Sequence, residues 1–386
     1  MNKHKKFTRI SQRSPEKMEL IRALASKDNN VSYEAAAAIA VAFGETINTV
    51  IEAMPTLSRF YDEFQFEIGE SPIMSVDDFF DLTAEGTIRV WGMAGGASSN
   101  MSSEVLAAGT DMFFHTAEIE SAVHQKKSYF AHGNPNKLQN TMNRMLQEVL
   151  VKREKLAANA LLFALANAST GNQSHVIATK QAGRFLPDDI SSVLAIHARI
   201  YAAWNKGTAV GSRGKRPTTM VFSPEVAKSL REIAYNPINT RAADGAAPAN
   251  TEDGIAAPDS MRQQFFTAAG VPQLYGLDYM EINEFGKNTV YNGLFDVYRG
   301  ATAITDYDGS NSTTFDTNSH QLVLFVDESA ENGLVTSVRL DEDYGGKFAL
   351  YPQEFQARER KVGWWGVENR GFQVVDDRVI TGLVVR

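Results

Sequence analysis

An uninterrupted helix from about Pro135 to about Ala168 constrains this chain more than any other feature, because it is too long for an ordinary catalytic domain. Asn134 can cap its first turn and Pro135 suits the first helical position, while Ser169, Thr170 and Gly171 close the far end. Between those ends Leu138, Met142, Met145, Val149, Leu156, Ala160 and Phe163 recur at three, four or seven residues, a narrow apolar stripe along one side. At about 1.5 Å per residue the helix reaches roughly 50 Å. A compact ball of this chain length is only about 55 Å across, from a radius of gyration near ~21 Å. The pattern predicts a spine laid over a sheet, in a flat, elongated subunit that finds its remaining contacts in neighbours.

The 386 residues are enough for two or three domains, and 43% hydrophobic with 22% charged content is ordinary globular chemistry. A formal charge of -8 argues against a nucleic-acid-binding protein as a whole. No apolar run is long enough for a membrane span, and the first thirty residues lack the apolar stretch of a secretory leader. With no cysteine, disulfides, thiolate metal sites and cysteine nucleophiles are excluded. Whatever locks the protein together is non-covalent or uses another chemistry.

Charge is uneven along the chain. Residues 1–30 carry Lys3, Lys5, Lys6, Arg9, Arg13, Lys17, Arg22 and Lys27 against Glu16, Glu19 and Asp28, a net +5 that leaves -13 for the rest. Such an arm touches nucleic acid or an acidic neighbouring subunit, or is a solvated tail. SPEKMELIRALAS, with Ser14 as cap, predicts a short helix within it, and the alanine-rich helix YEAAAAIAVAFGETINTVIEAM follows Ser32. Residues 1–55 are therefore expected to be a basic amino-terminal arm with short helices.

From about 54 to 130 the pattern changes to short strands. EFQFEI and TIRVW alternate, and GMAGGASSNMSSEVLAAGT, small, glycine-rich and weakly charged, precedes DMFFH. These segments predict an extended hairpin with a flexible tip, which in an enzyme would be a lid and in an assembling subunit an arm. Residues 173–319 read as mixed α/β: helix PDDISSVLAIHARIYAAWNKG, strand TTMVFS, helix SPEVAKSLREIAY capped by Ser223, helix DSMRQQFFTAAG, then strands LDYMEI and NTVYNGLFDVYRG. The intervening NPINTRAADGAAPANTEDGIAAPD lacks periodicity and is expected to be a long surface loop. From His320 to Arg386 the chain is nearly all strand and turn, which makes it the expected sheet partner of the spine helix.

Motifs that carry chemistry are poor. GMAGGASSN lacks the G-x-G-x-x-G spacing, and SRGKRP lacks the first glycine and the closing Ser or Thr of a phosphate loop, their places being held by Ala209 and Arg216. In DYDGSNSTTFD, Asp306, Asp308 and Ser310 alternate as calcium ligands do, but the glycine is misplaced and the closing Glu is missing, so an Asx-rich turn is the better reading. His115, His124 and His132 have no metal-pair spacing, and His197 shares a face with Ile190, Val193, Leu194, Ile200 and Trp204, as a packed or interface histidine would. No G-x-S-x-G elbow occurs. Asp341, Glu342 and Asp343, and likewise Asp376 and Asp377, are immediate neighbours, which in a strand point to opposite faces and make no carboxylate pair. Trp364 and Trp365 alternate the same way, one into the core and one towards a rim or partner. No catalytic residue, cofactor or metal is therefore expected.

The order of these parts resembles a family. Basic arm, long hairpin, spine helix, α/β domain with a long inner loop, and closing β segment are the plan of tailed-bacteriophage major capsid proteins, the Hong Kong 97 type of fold. The resemblance covers about residues 55–386; PTTMVFSPEVAKSLREI looks like the axial-domain strand and helix, and ERKVGWWGVENRGFQVVDDRVITGLVV looks like the carboxyl-terminal strands. It implies an α+β fold in which 56–133 form the extended loop, 134–172 with much of 320–386 the peripheral domain, and 173–319 the axial domain. The loop 236–259 then lies near a five-fold or six-fold axis. The assembly candidates are Lys3, Lys5, Lys6, Arg9 and Arg13 in the arm, and Trp91, Gly95, Gly96 and Asn100 at the hairpin tip. Asn236 and Arg241 in the loop and Trp364 and Trp365 in the closing strands complete the set. Some members crosslink a lysine to an asparagine; Lys126 or Lys127 and Asn369 in the final turn are the pair on offer here, although neither lysine is at the loop tip.

The implied function is a virion head shell assembled in the host cytoplasm, whose copies form pentamers and hexamers. Its partners are scaffold, portal and decoration proteins, with packaged DNA touched non-specifically and no membrane. A cellular shell of the same fold, an encapsulin-like compartment, is one alternative. A hydrolase-type enzyme with a lid at 91–110 is another, and it needs a convergent polar cluster.

Overall fold

The computed structural model describes residues 15–53, 56–67, 70, 73–77, 109–131, 135–170, 173–183, 185–205, 216–235, 275–330, 333–340, 347–352 and 360–386. The fold is α+β. In chain order the helices are α1 (Pro15–Ala23), α2 (Asn29–Ala53), α3 (Pro135–Asn167), α4 (Pro187–Asn205), α5 (Pro224–Tyr235) and α6 (Val290–Arg299). The first strands are β1 (Asp62–Phe66), β2 (Ile73–Asp77), β3 (Gly109–Phe113), β4 (Ala117–Lys126), β5 (Ser169–Thr170), β6 (Gln173–Ser174), β7 (Val176–Ala178), β8 (Thr219–Phe222) and β9 (Asp278–Glu281). They are followed by β10 (Ile304–Thr305), β11 (Ser312–Thr313), β12 (Gln321–Val326), β13 (Leu334–Arg339), β14 (Phe348–Pro352), β15 (Lys361–Val374) and β16 (Ile380–Val385). The chain divides into two compact units, each discontinuous in sequence: Met1–Pro72, Phe114–Leu161 and Leu334–Val375 form the first, and Ile73–Phe113, Leu162–Gly333 and Asp376–Arg386 the second.

The first unit is a helical layer on a five-stranded sheet. β15 is its centre, paired antiparallel with β4 along Lys361–Arg370 on one side and, end to end on the other, with β14 and β13. β13 in turn pairs in parallel with β1. One apolar cluster joins Leu138, Met142, Met145, Leu146 and Val149 of α3 to Ile119 and Val123 of β4, Phe348 and Leu350 of β14, and Val362 and Trp364 of β15. Ile21 of α1, Leu24 just after it, and Ala36, Ile39 and Ile47 of α2 belong to the same cluster, so residues that the sequence places in an arm are part of this core. The expected pairing of the spine helix with carboxyl-terminal strands is what the structure contains.

α3 runs from Pro135 to Asn167, within a residue of the expected bounds, because its interior is mostly Leu, Met, Arg, Glu, Lys, Gln and Ala with neither glycine nor proline. Its apolar stripe needs correction in the second half. Phe163 is 58% exposed, while Ala157, Ala158, Leu161, Leu162, Leu165 and Ala166 are buried. Phe163 lies about five whole turns beyond the fully buried Met145 and so at the same angle on a straight helix; the covered face, not the repeat, changes between the two halves.

Other differences have local causes. α2 starts at Asn29, not after Ser32, since Asp28 accepts the Asn30 N–H at 3.0 Å as a cap and Ser32 donates its hydroxyl to Leu24 O at 3.0 Å. EFQF is β1 of the large sheet and not the hairpin; the hairpin base is β2 paired antiparallel with β3, Ile73↔Phe113 to Asp77↔Gly109. TIRVW and the tip lie outside the described residues, as do the helix expected at DSMRQQFFTAAG and the loop before it. β4 was not foreseen, because AEIESAVHQK scores as helix and becomes a strand through its ten-residue ladder with β15. VYNGLFDVYR, expected as strand from its aromatic and β-branched content, is helix α6, with Tyr291, Asn292 and Phe295 buried on one face and Gly300 closing it at φ 56°.

The second unit is built on the mixed sheet β7-β16-β12-β8-β9, whose β7–β16 and β8–β9 pairs are parallel and whose other pairs are antiparallel. Helices α4 and α5 cover one face through Ile190, Val193, Ile196, Ile200, Val226 and Leu230 against Met220, Phe222, Val323, Phe325 and Leu383. α6 serves β12 directly, with Asn292 accepting the Leu322 N–H at 3.2 Å and donating to His320 O at 3.0 Å. Every residue of β12 is buried, as a strand covered on both faces requires. Asp189 closes the start of α4 by accepting the N–H groups of Leu186 (2.8 Å) and Lys180 (3.1 Å), and Ser223 caps α5 through the Val226 N–H at 3.4 Å.

Candidate assembly surfaces and buried polar centres

Of the assembly candidates, Lys3, Lys5, Lys6, Arg9, Arg13, Trp91, Gly95, Gly96, Asn100, Asn236 and Arg241 lie outside the described residues. Trp364 and Trp365 separate as alternation demands. Trp364 is fully buried, donates its indole N–H to Ala36 O at 3.2 Å, and meets Phe130 edge-on at 6.3 Å. Trp365 is half-buried and stacks at 5.5 Å on Tyr351. Only the second is placed to serve a partner.

The inward face of β15 carries Trp364, Gly366, Glu368, Arg370 and Phe372 at every second position, and α3 passes over it. Gly366 permits that approach, because a Cβ there would overlap the Phe348 ring and stand 3.1 Å from Met145 Sδ. Beyond it the layer changes from apolar to ionic. Glu368 and Arg370, each 1% exposed, pair at 2.5 Å, and Arg153 of α3 is 5% exposed beside them. Burial first, and the neighbouring Arg370 second, pull the Arg153 guanidinium below its ordinary value. At the margin Lys347 pairs with Glu63 at 2.7 Å. Burial opposes the Glu63 charge, but the hydrogen bonds from Lys347 and Gln65 outweigh it and hold the carboxyl below its usual range. Past the ions, Phe372 meets Tyr61 edge-on at 5.0 Å, and Tyr61 donates to Ala157 O at 2.9 Å.

Glu154 is the strongest tie between α3 and the segment before β1. Its carboxylate accepts the N–H groups of Thr56 (3.2 Å), Leu57 (2.9 Å) and Ser58 (3.2 Å) and both hydroxyls of Thr56 and Ser58 (2.6 Å). It thereby caps the 3-10 turn Leu57–Phe60 from a distant helix. None of these groups belongs to a motif of the sequence. The available signal was Glu368-x-Arg370, opposite charges two apart on the buried face of a strand.

In the second unit two imidazoles are buried, in company with carboxylates such as Asp189, Asp306 and Asp327. His197 has no exposed surface; its Nδ1 lies 3.4 Å from Thr381 Oγ1, its ring is 5.1 Å from Tyr201, and its Nε2 has no partner among the described residues. Burial pushes its pKa down to about 4. Tyr201 donates to Asp327 at 3.3 Å and lies under Arg378, which pairs with Asp376 at 2.6 Å. His175, also pulled down by burial, faces the carbonyls of Asp377 (3.0 Å) and Ile380 (3.2 Å). Histidine, tyrosine, carboxylate and arginine do converge here, as an enzyme reading requires. Yet His197 is 0%, His175 1% and Asp327 2% exposed, so no substrate reaches them while the fold is closed.

The remaining motifs resolve into structure. Asp306 accepts the Ser310 N–H at 2.8 Å and the Asn311 amide at 2.7 Å, an Asx-type turn between β10 and β11, and Asp308 pairs with Lys180 at 3.0 Å. Asn369 lies in mid-β15 opposite Glu118 and Arg339, not in a final turn. Among the described residues no group of three or more His, Cys, Asp or Glu is placed to hold a metal ion, and no helix is long and apolar enough to cross a membrane.

No family model matches the chain, and no curated protein matches it in sequence. Solved structures similar to it are shells. The holo-SrpI encapsulin complex from Synechococcus elongatus PCC 7942 is 12% identical, with a TM-score of 0.46 over 85% of each chain. The capsid of the Cyanophage P-SCSP1u is 10% identical, with a TM-score of 0.44 over 86% of this chain and 88% of that one. The capsid of a native GTA particle is 14% identical, with a TM-score of 0.45 over 85% and 89%.

Proposed function

We propose that this chain is a shell-forming structural protein, the major capsid protein of a tailed bacteriophage, which assembles into pentamers and hexamers of an icosahedral head enclosing double-stranded DNA. The observation that carries the reading is the first unit's construction: the Pro135–Leu161 part of a long helix sealed on one side against β4, β14 and β15, with Arg144, Gln147, Val151 and Lys155 left exposed on the other. A closed shell is made by burying many modest patches on several neighbours, and a helix-on-sheet layer with side chains free along its length suits that task better than a pocketed globule. Exposed apolar groups such as Phe163 (58%) and Val297 (77%) supply further surface of that kind.

In this reading residues 1–55 are the arm, whose α1 and α2 pack on the large sheet, and 56–133 carry the extended loop on the base β2–β3, while β1 and β4 at their ends belong to that sheet. Residues 134–172 and much of 320–386 make the peripheral domain, and 173–319 the axial domain, with Asn236 and Arg241 near a symmetry axis. Lys3, Lys5, Lys6, Arg9 and Arg13 contact a neighbour or DNA, and Trp91, Gly95, Gly96 and Asn100 reach the next subunit. The location is the virion, the role needs no cofactor or metal, and scaffold, portal and decoration proteins are the expected partners. The net +5 of residues 1–30 favours a virion over an encapsulin-like compartment.

Negative-stain electron microscopy after size exclusion tests it. Five- and six-membered rings or closed particles are expected, and particle diameter separates a phage head from a small compartment. A uniform monomer or dimer under every condition, including crowding and added scaffold, would refute the shell.

A further inference from the structure

β4 pairs with β15 along one side, and no strand pairs with its other side among the described residues. Alternation decides which backbone groups that open edge presents. Lys127 donates its N–H to Arg360 O at 2.9 Å, so the odd residues of β4 hold the ladder and the N–H and C=O groups of the even ones point away. Lys152 agrees, since its ammonium sits on the outward carbonyl of Glu120 at 2.8 Å. The next outward residues, Ala122 and His124, lie where a groove of about 590 Å³ separates the edge from α3.

The opposite wall of that groove is polar and cationic, formed by Lys137, Asn140, Thr141 and Arg144. Lys137 stands 3.8 Å over the Tyr129 ring, which holds its charge at the mouth. It is also in the first turn of α3, which has no acidic residue, so the positive end of the helix adds to it. Glu148 offsets Arg144 at 3.1 Å and leaves Lys137 uncompensated within the wall.

We propose that this groove takes an extended, acidic peptide segment of a partner protein. The segment adds to β4 as a further strand, exchanging hydrogen bonds with Ala122 and His124. Its alternate side chains, turned towards α3, place a carboxylate on Lys137. Charge complementarity selects that occupant. The chain's own Lys3, Lys5, Lys6, Arg9 and Arg13 would be repelled, and Trp91–Ser103 carries no charge to meet the wall.

The test is fluorescence anisotropy with the dispersed full-length chain and three labelled decapeptides: alternating Val and Glu, alternating Val and Lys, and the acidic one with a central proline. The acidic peptide binds, and the other two bind at least about tenfold more weakly. Lys137→Glu reproduces that loss. Ala122→Pro does too, because proline removes an outward N–H without touching the β4–β15 ladder, and thermal unfolding is unchanged. Equal binding of the acidic and basic peptides, or undiminished binding to Ala122→Pro, overturns the proposal. So does failure of all three peptides together with self-association that Ala122→Pro abolishes, which gives the groove to a second copy. Every readout is on dispersed chains, so the result does not depend on whether they close into shells.

Discussion

The two units bury polarity in different chemical forms. In the first, the buried groups are ions in contact, Glu368 with Arg370 and Arg153 close by, while the histidines described there, His115 and His124, are exposed. In the second, His175 and His197 are buried and His320 is half-buried, all three held below the ordinary imidazole value by burial. The consequence is a difference in how each unit fails. A buried ion pair tolerates mild acid but not the loss of one member, whereas a buried neutral imidazole tolerates substitution by an apolar group but not protonation.

The sharpest way to break that contrast is Glu368→Ala, which leaves two guanidinium groups without their carboxylate. A loss of about 3–5 kcal/mol is expected in urea unfolding, and replacing Glu368 and Arg370 together by Met and Leu recovers most of it. A cost below about 1 kcal/mol would mean that the pair is solvated. Next is a comparison of two glycines. Alanine at Gly371 of the first unit places a Cβ against the His115 carbonyl, which is backbone, for about 3 kcal/mol. Alanine at Gly382 of the second meets only leucine methyl groups, of Leu165 at 3.1 and 3.4 Å and of Leu322 at 3.4 Å, and costs less than about 1 kcal/mol because leucine tips can move.

Acid comes third. His197 is neutral in the folded state with a pKa of about 4, and it takes up a proton near 6.5 when unfolded. Its contribution is intact above the unfolded value, declines as pH falls below it, and declines no further below the folded value. By pH ~5 the loss is about 2 kcal/mol. Asp189 and Asp377, whose carboxyls burial pushes up, act in the opposite direction as pH falls towards the ordinary carboxylate value and offset part of this loss, which is why the His197 variant is read beside the parent. Glu63 is depressed, so its share in the first unit is present above the ordinary carboxylate value and lost only below it. Hydrogen-exchange mass spectrometry between pH ~6.5 and ~5 should show β12 and β16 losing protection while β15 keeps it. His197→Phe should flatten most of that change, the remainder belonging to His175; equal loss in β15 would remove the distinction. The smallest effect is Ser223→Ala, about 1–1.5 kcal/mol by thermal unfolding, since it removes a long cap bond and the hydrogen bond that the hydroxyl donates to Gln321 Oε1 at 3.1 Å.

What was legible in the sequence follows the range of the forces involved. The bounds of α3, the cap at Ser223, the start of α4 at Pro187 and the run of carboxyl-terminal strands depend on residues within one or two turns of each other, and all are where periodicity and capping place them. α6 was misread because aromatic and β-branched residues score as strand, and only its packing against β12 makes the helix the lower-energy choice. The candidate site was less legible still: of its residues the structure describes only Trp364 and Trp365, and alternation foresaw their opposite faces.

By itself the sequence determined a long capped helix, a strand-rich carboxyl terminus, the absence of thiol chemistry and the order of parts, since each of these is a property of composition or of neighbours along the chain. The tertiary structure decided that Phe163 stays exposed, that AEIESAVHQK becomes a strand along β15, and that Glu368 meets Arg370 beneath α3. It also decided that His197 is sealed from solvent. Those outcomes rest on strand register and helix rotation, set by contacts between residues far apart in the chain, and short-range preference carries no information about them.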